Sequence, residues 1–317
     1  MAGIPVPLAS HDRLPTAPSA RLGGIALAAI GAVAFSGKAI IVKLAYRYGV
    51  DAVTLIALRM AVALPFFAWV AIVIERRAST PRLLPSDWPK ILLLGVLGYY
   101  LASYLDFLGL AYITATLERL ILYLNPTIVL AIGVFWFKRR ILPRQWIALG
   151  LSYVGVVLAL MHDFRLGGSN IALGSILVFA SALAYALYLV GSGEMVKRVG
   201  ALRLTALASC VASLCCIVQF LITRPWSALV LPTQVYWLSA LNGVACTVLP
   251  VFAVMFAIAR VGAPTAAQVG MIGPVSTIIF SWLLLGESMG AAQVFGTLLV
   301  LSGVFIVSRS NRQGETK

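Results

Sequence analysis

An all-α integral membrane fold, with ten transmembrane helices in two inverted five-helix repeats, follows from three observations on the 317-residue sequence. The chain is 61% hydrophobic and 11% charged, with a mean hydropathy of +1.00. A water-soluble domain of this length cannot hide that much apolar surface in one core. The apolar residues gather into ten runs, each close to the roughly 20 residues that a helix needs to cross about 30 Å of hydrocarbon. The second half of the chain also matches the first at a nearly constant offset. Lipid offers no partner for an unpaired backbone group, so the runs are expected as helices, which satisfy their own. The alternating strands of a membrane barrel are absent from the sequence.

In order, the expected spans are Leu22 to Leu44, Ala52 to Ile74, Trp88 to Leu110, Thr114 to Phe137, Arg144 to Met161, Ile171 to Gly191, Leu202 to Ile222, Val235 to Ala259, Ala263 to Leu285 and Gly290 to Ser308. Short connections join them into a compact bundle. With a cytoplasmic N-terminus, seventeen basic side chains fall on one side of the membrane and four, Lys43, Arg47, Arg165 and Arg224, on the other. This asymmetry obeys the positive-inside rule and implies an inner-membrane, multi-pass protein with both termini in the cytoplasm. The formal charge of +14 is then loop charge, and no nucleic-acid partner is expected.

The expected organisation is a disordered cytoplasmic tail at 1–21, a first repeat at 22–161, an external linker at 162–170, a second, inverted repeat at 171–308 and a cytoplasmic tail at 309–317. The N-terminal tail, with Pro5, Pro7, Pro15 and Pro18, is too polar and broken for a cleaved signal peptide. Cys210, Cys215, Cys216 and Cys246 all fall inside spans and read as packing residues rather than as disulfides or zinc ligands.

A shift of 148 residues places Trp88 on Tyr236, Gly95 on Gly243, Ala111 on Ala259, Ala115 on Ala263, Pro126 on Pro274, Gln145 on Gln293 and Gly155 on Gly303. The first helices, GGIALAAIGAVAF and GSILVFASALAY, match with Gly24 on Gly174. Five helices per repeat is an odd number, so the second repeat enters from the opposite face and is inverted. Inverted repeats let two pseudo-equivalent halves exchange roles around one central site, the construction of many secondary transporters.

These segments resemble the EamA branch of the drug/metabolite transporter superfamily. The resemblance rests on GLAYITATLERLILYLNPTIVLAIGVF in the first half and on AIARVGAPTAAQVGMIGPVSTIIFSWLLLGESMGAAQVFGTLLVLSGVFIV in the second. It covers Leu22 to Ser308, and its best motif is Pro274 followed after eleven residues by Gly286-Glu287, then Gln293 and Gly296. The first half departs from the motif, with Lys138-Arg139 where Gly-Glu would stand, so no acid is carried into that repeat. The resemblance implies export of amino acids or other small metabolites, including through the family's amino-acid exporter branch. It also implies a central cavity lined by the first, third and fourth helices of each repeat.

Charged and polar residues inside the spans are the candidate machinery. Lys38 lies so deep in the first span that a lone ammonium facing lipid would cost several kcal/mol, and no midplane acid is evident to answer it. It is therefore expected to receive a substrate carboxylate, with a structural counter-ion as the competing account. Asp106, Glu118 and Arg119 sit near the outer interface, as a charge cluster that clamps the third and fourth helices while Arg119 snorkels outward, or as an outer gate. Neighbours on a helix diverge by about 100°, so Glu118 and Arg119 cannot share one partner. Arg59, on a peripheral helix, is expected to snorkel or brace.

Pro126 disturbs the carbonyl of Leu122 four residues back, and Pro274, with Gly270 and Gly273, does likewise in the ninth helix. Both are hinge candidates. Tyr99, Tyr100, Ser103, Tyr123, Tyr185, Tyr188, Asn242 and Gln268 are candidate substrate contacts, since a cavity for an amphipathic solute mixes rings with hydroxyl and amide groups. Tyr104, Asn125, Thr247 and Ser276 belong to the same layer, and interhelical packing is the competing account for each.

The two histidines, His11 and His162, lie outside the spans, and neither a metalloprotease motif, a GxSxG nucleophile nor a GxxxxGK[ST] loop occurs. An enzyme, a metal site, a cofactor and direct drive by ATP are therefore not expected. Partners are a small-molecule substrate and the bilayer, with the chain a monomer or weak homo-oligomer. The reading is a secondary transporter that exports amino acids, hydrophobic or aromatic ones included, by alternating access. Its rivals are an exchanger of phosphorylated or nucleotide-linked metabolites and a membrane receptor or assembly subunit.

Overall fold

A computed structural model of the protein describes residues 18–76, 82–137, 143–165, 170–288 and 290–314. Among these, nine helices are long and apolar enough to cross a membrane: α1 (Leu22–Tyr46), α2 (Ala52–Glu75), α3 (Asp87–Leu110), α4 (Ala115–Trp136), α5 (Pro143–Arg165), α6 (Ile171–Val199), α7 (Ala201–Thr223), α8 (Thr233–Val261) and α9 (Thr265–Leu285). A tenth, α10 (Ala291–Ile306), is the shorter apolar span that completes the second repeat. The face where α1 begins and α10 ends is called the near face below, and the opposite one the far face.

Four helix ends run well past the sequence expectation, each lengthening its helix. Helix α5 continues through His162 to Arg165, so the expected linker at 162–170 begins as helix. Helix α6 runs past Gly191 to Val199, and the last helix keeps a helical backbone to Gly314, well into the expected tail at 309–317. The extra turns carry charged and polar residues such as Glu194, Lys197 and Arg198, which are good helix formers and lie where a helix can leave hydrocarbon. At the N-terminus the backbone is already helical from Pro18. Residues 1–17 and the Lys138-Arg139 pair lie outside the described residues.

The two repeats are interlocked. Helix α1 packs along α8 and α9 of the second repeat, and α6 packs along α3 and α4 of the first. Helices α2 and α7 form a flanking pair, and α5 and α10 another. The second pair is drawn together by small residues: a Cβ on either Gly155 or Gly296 would stand 2.5 Å from the other's carbonyl oxygen. Small-residue contacts of this kind supply van der Waals packing where lipid removes any hydrophobic drive between helices. Two central bodies result, α1–α8–α9 and α3–α4–α6, which meet along a seam.

Backbone irregularities recur at repeat-related places. Helix α3 widens into a π-helical turn at Val96–Leu101 and α8 does so at Val244–Val248. Helix α4 breaks at Tyr123, after Leu122, and α9 breaks at Met271, after Gly270. In each case the positions differ by 148, the offset that aligns the two halves of the sequence. Such turns release a carbonyl from the helical ladder, and they are frequent at functional sites.

Candidate functional site

The breaks in α4 and α9 follow from their prolines. Pro126 and Pro274 lack the N–H that would close a bond to Leu122 and Gly270 respectively. Asn125 Nδ2 donates to the Leu122 carbonyl at 2.7 Å, a repair within α4. The Gly270 carbonyl is answered from the other body, by the Tyr123 hydroxyl at 2.6 Å. Ser36 Oγ donates to the Gly273 carbonyl at 2.8 Å, which holds α1 to α9. Gly273 has to be small, because a Cβ there would stand 2.7 Å from Tyr123 Oη, whereas the Cβ position of Gly270 meets nothing within 4 Å.

Above the breaks, toward the far face, lies a buried cluster of charges. Lys38 Nζ is 2.5 Å from Asp106 Oδ2 and 3.2 Å from Glu118 Oε1. The three residues are 6%, 2% and 0% exposed, so water gives the charges little help. The expectation that no acid answers Lys38 is therefore corrected. It counted residues along each helix and neglected reach. Lys38 is about one turn deeper than Asp106, and an extended lysine side chain spans about that distance.

Arg119 is also corrected: it does not snorkel outward, and it is 2% exposed. It turns across the seam, donating from Nη2 to the Phe35 carbonyl at 2.7 Å and from Nε to Thr277 Oγ1 at 3.1 Å. Glu118 and Arg119 diverge as adjacent helical residues must. Phe35, 41% exposed, lies against both cations, with Lys38 Nζ 5.4 Å and Arg119 Cζ 5.0 Å from its ring centroid. Arg59 braces rather than snorkels. Its guanidinium is over the Phe107 ring at 4.7 Å and donates to Ser103 Oγ at 3.3 Å, and the residue is 3% exposed.

The far end of the seam is closed by a second group of polar contacts. Lys43 reaches Glu287 at 3.4 Å and donates to the Ile113 carbonyl at 2.6 Å. Glu287 accepts from the Ala115 backbone N–H at 3.3 Å and from Ser281 Oγ at 2.5 Å. Asp163 of α5 accepts from the Thr114 backbone N–H and hydroxyl, each at 2.9 Å, and from Gln293 at 3.4 Å. The start of α4, whose first N–H groups have no helical partner, thus draws acids from α5 and from the segment that follows α9. A cleft of about 460 Å³, lined by Lys43, Tyr46, Arg47, Thr114, Leu285 and Glu287, opens above this seal.

Among the described residues, every hydrogen bond and ion pair that crosses from one body to the other is at mid-depth or on the far half. On the near half the bodies part company. Asn125–Phe137 packs on α6, and Ala263–Gly270 packs on α1. The near-face ion pairs join helices elsewhere, Glu75 to Arg203 at 2.6 Å across α2–α7 and Asp87 to Arg198 across α3–α6. Among the described residues, the seam is thus sealed by polar contacts on the far side and crossed by none on the near side.

The remaining candidates divide. Tyr99, Tyr185 and Tyr188 form one aromatic group, with Tyr99 edge-on to Tyr188 at 5.1 Å and to Tyr185 at 6.5 Å. Tyr123 is at the seam. Asn242 is buried, and its amide nitrogen is 3.5 Å from the Lys38 carbonyl, on the backbone of α1 rather than at the charges. Gln268 is half-buried on the near half of α9. Tyr100 packs instead into the apolar cluster of α1, α2 and α7 that contains Met60 and Cys216, and Ser103 serves Arg59. Sequence reasoning missed Phe35, Ser36, Lys43, Asp163 and Thr277. Lys43 and Asp163 were legible as charges next to span ends, whereas Phe35, Ser36 and Thr277 gave no signal.

Known proteins resemble this chain over nearly its whole length. The EamA-like transporter family matches at residues 22–161 and again at 172–309, one match per five-helix repeat. The uncharacterized transporter YcbK of Bacillus subtilis (strain 168) is 31% identical over 290 residues, 88% of this chain and 89% of the relative. An uncharacterized transporter of Methanothermobacter thermautotrophicus is 26% identical over 270 residues, 83% of this chain and 76% of its own. A solved crystal structure shares the fold with a TM-score of 0.62 at 17% identity, covering 93% of this chain and 97% of the other.

Proposed function

The chain belongs to the EamA-like transporter family and is a multi-pass inner-membrane transporter, and from that premise we propose that it exports amino acids or similarly small amphipathic metabolites by alternating access. One observation carries the substrate class. Two buried cations, Lys38 and Arg119, and two buried carboxylates, Asp106 and Glu118, meet at one level beside the partly exposed ring of Phe35. A zwitterion with an apolar side chain matches that mixture: its carboxylate suits the cations, and its side chain suits Phe35 and Tyr123. A phosphorylated substrate would want cations without the two acids.

The seal formed by Lys43, Glu287 and Thr114 is the outer gate in this reading, and the hinges are the breaks at Tyr123 and Met271. The seventeen-to-four division of basic residues along the sequence supports a cytoplasmic near face with both termini there. The unbridged near half of the seam would then admit substrate from the cytoplasm. The test is counterflow of radiolabelled L-phenylalanine and L-leucine in proteoliposomes. Saturable exchange that Arg119→Ala abolishes, in protein that still elutes as a single folded species, supports the reading. Absence of exchange for every proteinogenic amino acid overturns the substrate class.

A further inference from the structure

Two hollows on the far face share one side chain. The cleft of about 460 Å³ above the seal has Lys43, Arg47, Thr114 and Glu287 on its walls. A groove of about 380 Å³, lined by Leu44, Arg47, Tyr48, Gln234, Trp237 and Leu238, runs between the end of α1 and the start of α8. The cleft is charged, whereas the groove is mostly apolar. Tyr48 is 44% exposed and Trp237 73%. Exposed tyrosine and tryptophan at helix ends mark the headgroup level of a bilayer, so the groove opens where acyl chains meet headgroups. A charged hollow beside an apolar one at that depth has the layout of a phospholipid, with its phosphate in the first and a chain along the second.

The charges define the headgroup. On this face Lys43 is answered by Glu287 and Arg224 by Asp51. Among the described residues no carboxylate pairs with Arg47, so once Lys43 and Glu287 cancel, the cleft keeps one net positive charge. Arg47 Nη2 donates to the Leu285 carbonyl at 2.6 Å, and its other N–H groups are left for an anion. A guanidinium matches two oxygens of a phosphate in a fork. We propose that this site binds one anionic phospholipid of the far leaflet, with its phosphodiester on Arg47 and an acyl chain against Leu44, Trp237 and Leu238. A single negative charge neutralises the cleft. An ethanolamine or choline headgroup would instead bring a further cation beside Lys43 and Arg47.

The site stays whole while the seam works. Helices α1 and α8 belong to the same central body and pack on each other, so the groove does not divide when the bodies part. The lipid is thus a resident part of the α1–α8–α9 body and not cargo. It also reaches the outer gate. Arg47 holds the carbonyl that ends α9, Gly286 follows in a left-handed turn with φ of +70°, and Glu287 then enters the seal. A phosphate on Arg47 fixes the arginine in place, and through it the turn that presents Glu287. An acyl chain is already in hydrocarbon before it enters the groove and gains little by burial there. Arg47 therefore sets the affinity, and the groove sets the position.

The probe is dioleoyl phosphatidylglycerol, added to the delipidated full-length protein in detergent and counted by native mass spectrometry, with dioleoyl phosphatidylcholine as the comparison. One phosphatidylglycerol should bind about tenfold or more tightly than phosphatidylcholine, the scale of one charge-assisted hydrogen bond. Arg47→Gln, an exposed substitution that keeps an N–H donor, should erase the preference, while Arg224→Gln, at a residue that lines neither hollow, should keep it. Equal adducts of the two lipids overturn the proposal, because only the annular shell is then being counted. A preference that survives Arg47→Gln, or that Arg224→Gln removes equally, overturns it too. Glycerol 3-phosphate is the probe for a free anion, and displacement of the lipid by it at equal concentration replaces the lipid with a soluble anion in the cleft. Thermal unfolding gives a second reading, since a ligand of the folded chain raises its midpoint. Phosphatidylglycerol should raise the midpoint of the wild type and not that of Arg47→Gln, and an equal rise in both overturns the proposal. None of these readings involves transport, so they stand whatever solute the protein exports.

Discussion

Helices α4 and α9 break at matching residues of the two repeats, yet they are unlike in chemistry. Glu118 and Arg119 of α4 correspond, at the 148-residue offset, to Ala266 and Ala267 of α9. The first helices differ in the same way, since Lys38 of α1 corresponds to Tyr188 of α6 when Gly24 is aligned with Gly174. The π-helical turns in α3 and α8 and the proline breaks appear in both repeats, while among the described residues the buried charge cluster at the seam, Lys38, Asp106, Glu118 and Arg119, comes from the first. Backbone irregularity is needed on both sides if each half is to bend. Charge is expensive in a membrane, and one set suffices for one central site. The result is a seam with an ionic far half, built from α1, α3 and α4, and a tyrosine group between α3 and α6.

The largest effect expected from that contrast is at Lys38. Lys38→Met strands two buried carboxylates, and truncating one partner of a buried ion pair costs about 3–5 kcal/mol. Glu118→Gln in the same chain should recover part of the loss, because one stranded charge is removed. At the matching place in the second repeat, Tyr188→Phe removes only a hydroxyl 3.4 Å from that of Tyr99. Its cost should stay below about 1 kcal/mol. Thermal unfolding in detergent measures all three, and equal losses for Lys38→Met and Tyr188→Phe would break the comparison.

The two repairs of the proline breaks sharpen it further. Tyr123→Phe leaves the Gly270 carbonyl without its donor, and Asn125→Ala does the same to the Leu122 carbonyl, so each should cost about 1–3 kcal/mol if the freed group stays dry. Only the tyrosine joins the two bodies. Tyr123→Phe is therefore expected to change transport rate more than Asn125→Ala does at comparable loss of stability. A rate loss equal in both would mean that the hinge does not depend on which body supplies the donor.

The helices, their order and the repeat were legible because hydrophobic run length and a fixed offset are local or periodic signals. The breaks were legible as prolines. What could not be read was which side chains meet across the seam. Counting along each helix put Lys38 too deep for Asp106 and left it without an acid, because counting ignores the length of the side chain and the packing of α1 against the other repeat. Arg119 was expected to reach outward, but the nearest acceptors for its guanidinium are the Phe35 carbonyl and Thr277, on helices far away in sequence. Glu287 was visible through its motif, while its role as a partner for the start of α4 required the fold.

The smallest predicted effect extends the comparison to the flanking pair. Asp51 precedes α2 and caps it, accepting from Val53 N at 3.0 Å and Thr54 N at 3.2 Å, and Arg224 approaches to 2.9 Å. In the second repeat α7 starts at Gly200, with φ of +85° and no side-chain cap. Partial burial of Asp51 pushes its carboxyl up, but the hydrogen bonds from Thr54 and Arg224 outweigh it and hold the carboxyl below its ordinary value. A lowered carboxylate stabilises the fold above its unfolded value of about 3.9 and loses that contribution as pH falls through the folded one. Asp51→Ala should cost about 1 kcal/mol at neutral pH, the usual worth of such a cap. The difference from the wild type should shrink once the medium is acid enough to protonate Asp51. Asp51→Gly, which gives α2 the start that α7 has, should cost only a few tenths of a kcal/mol for the cap. If melting temperatures across that acid range run parallel for the wild type and Asp51→Ala, the charge of Asp51 adds nothing, and the two helix starts differ in sequence but not in strength.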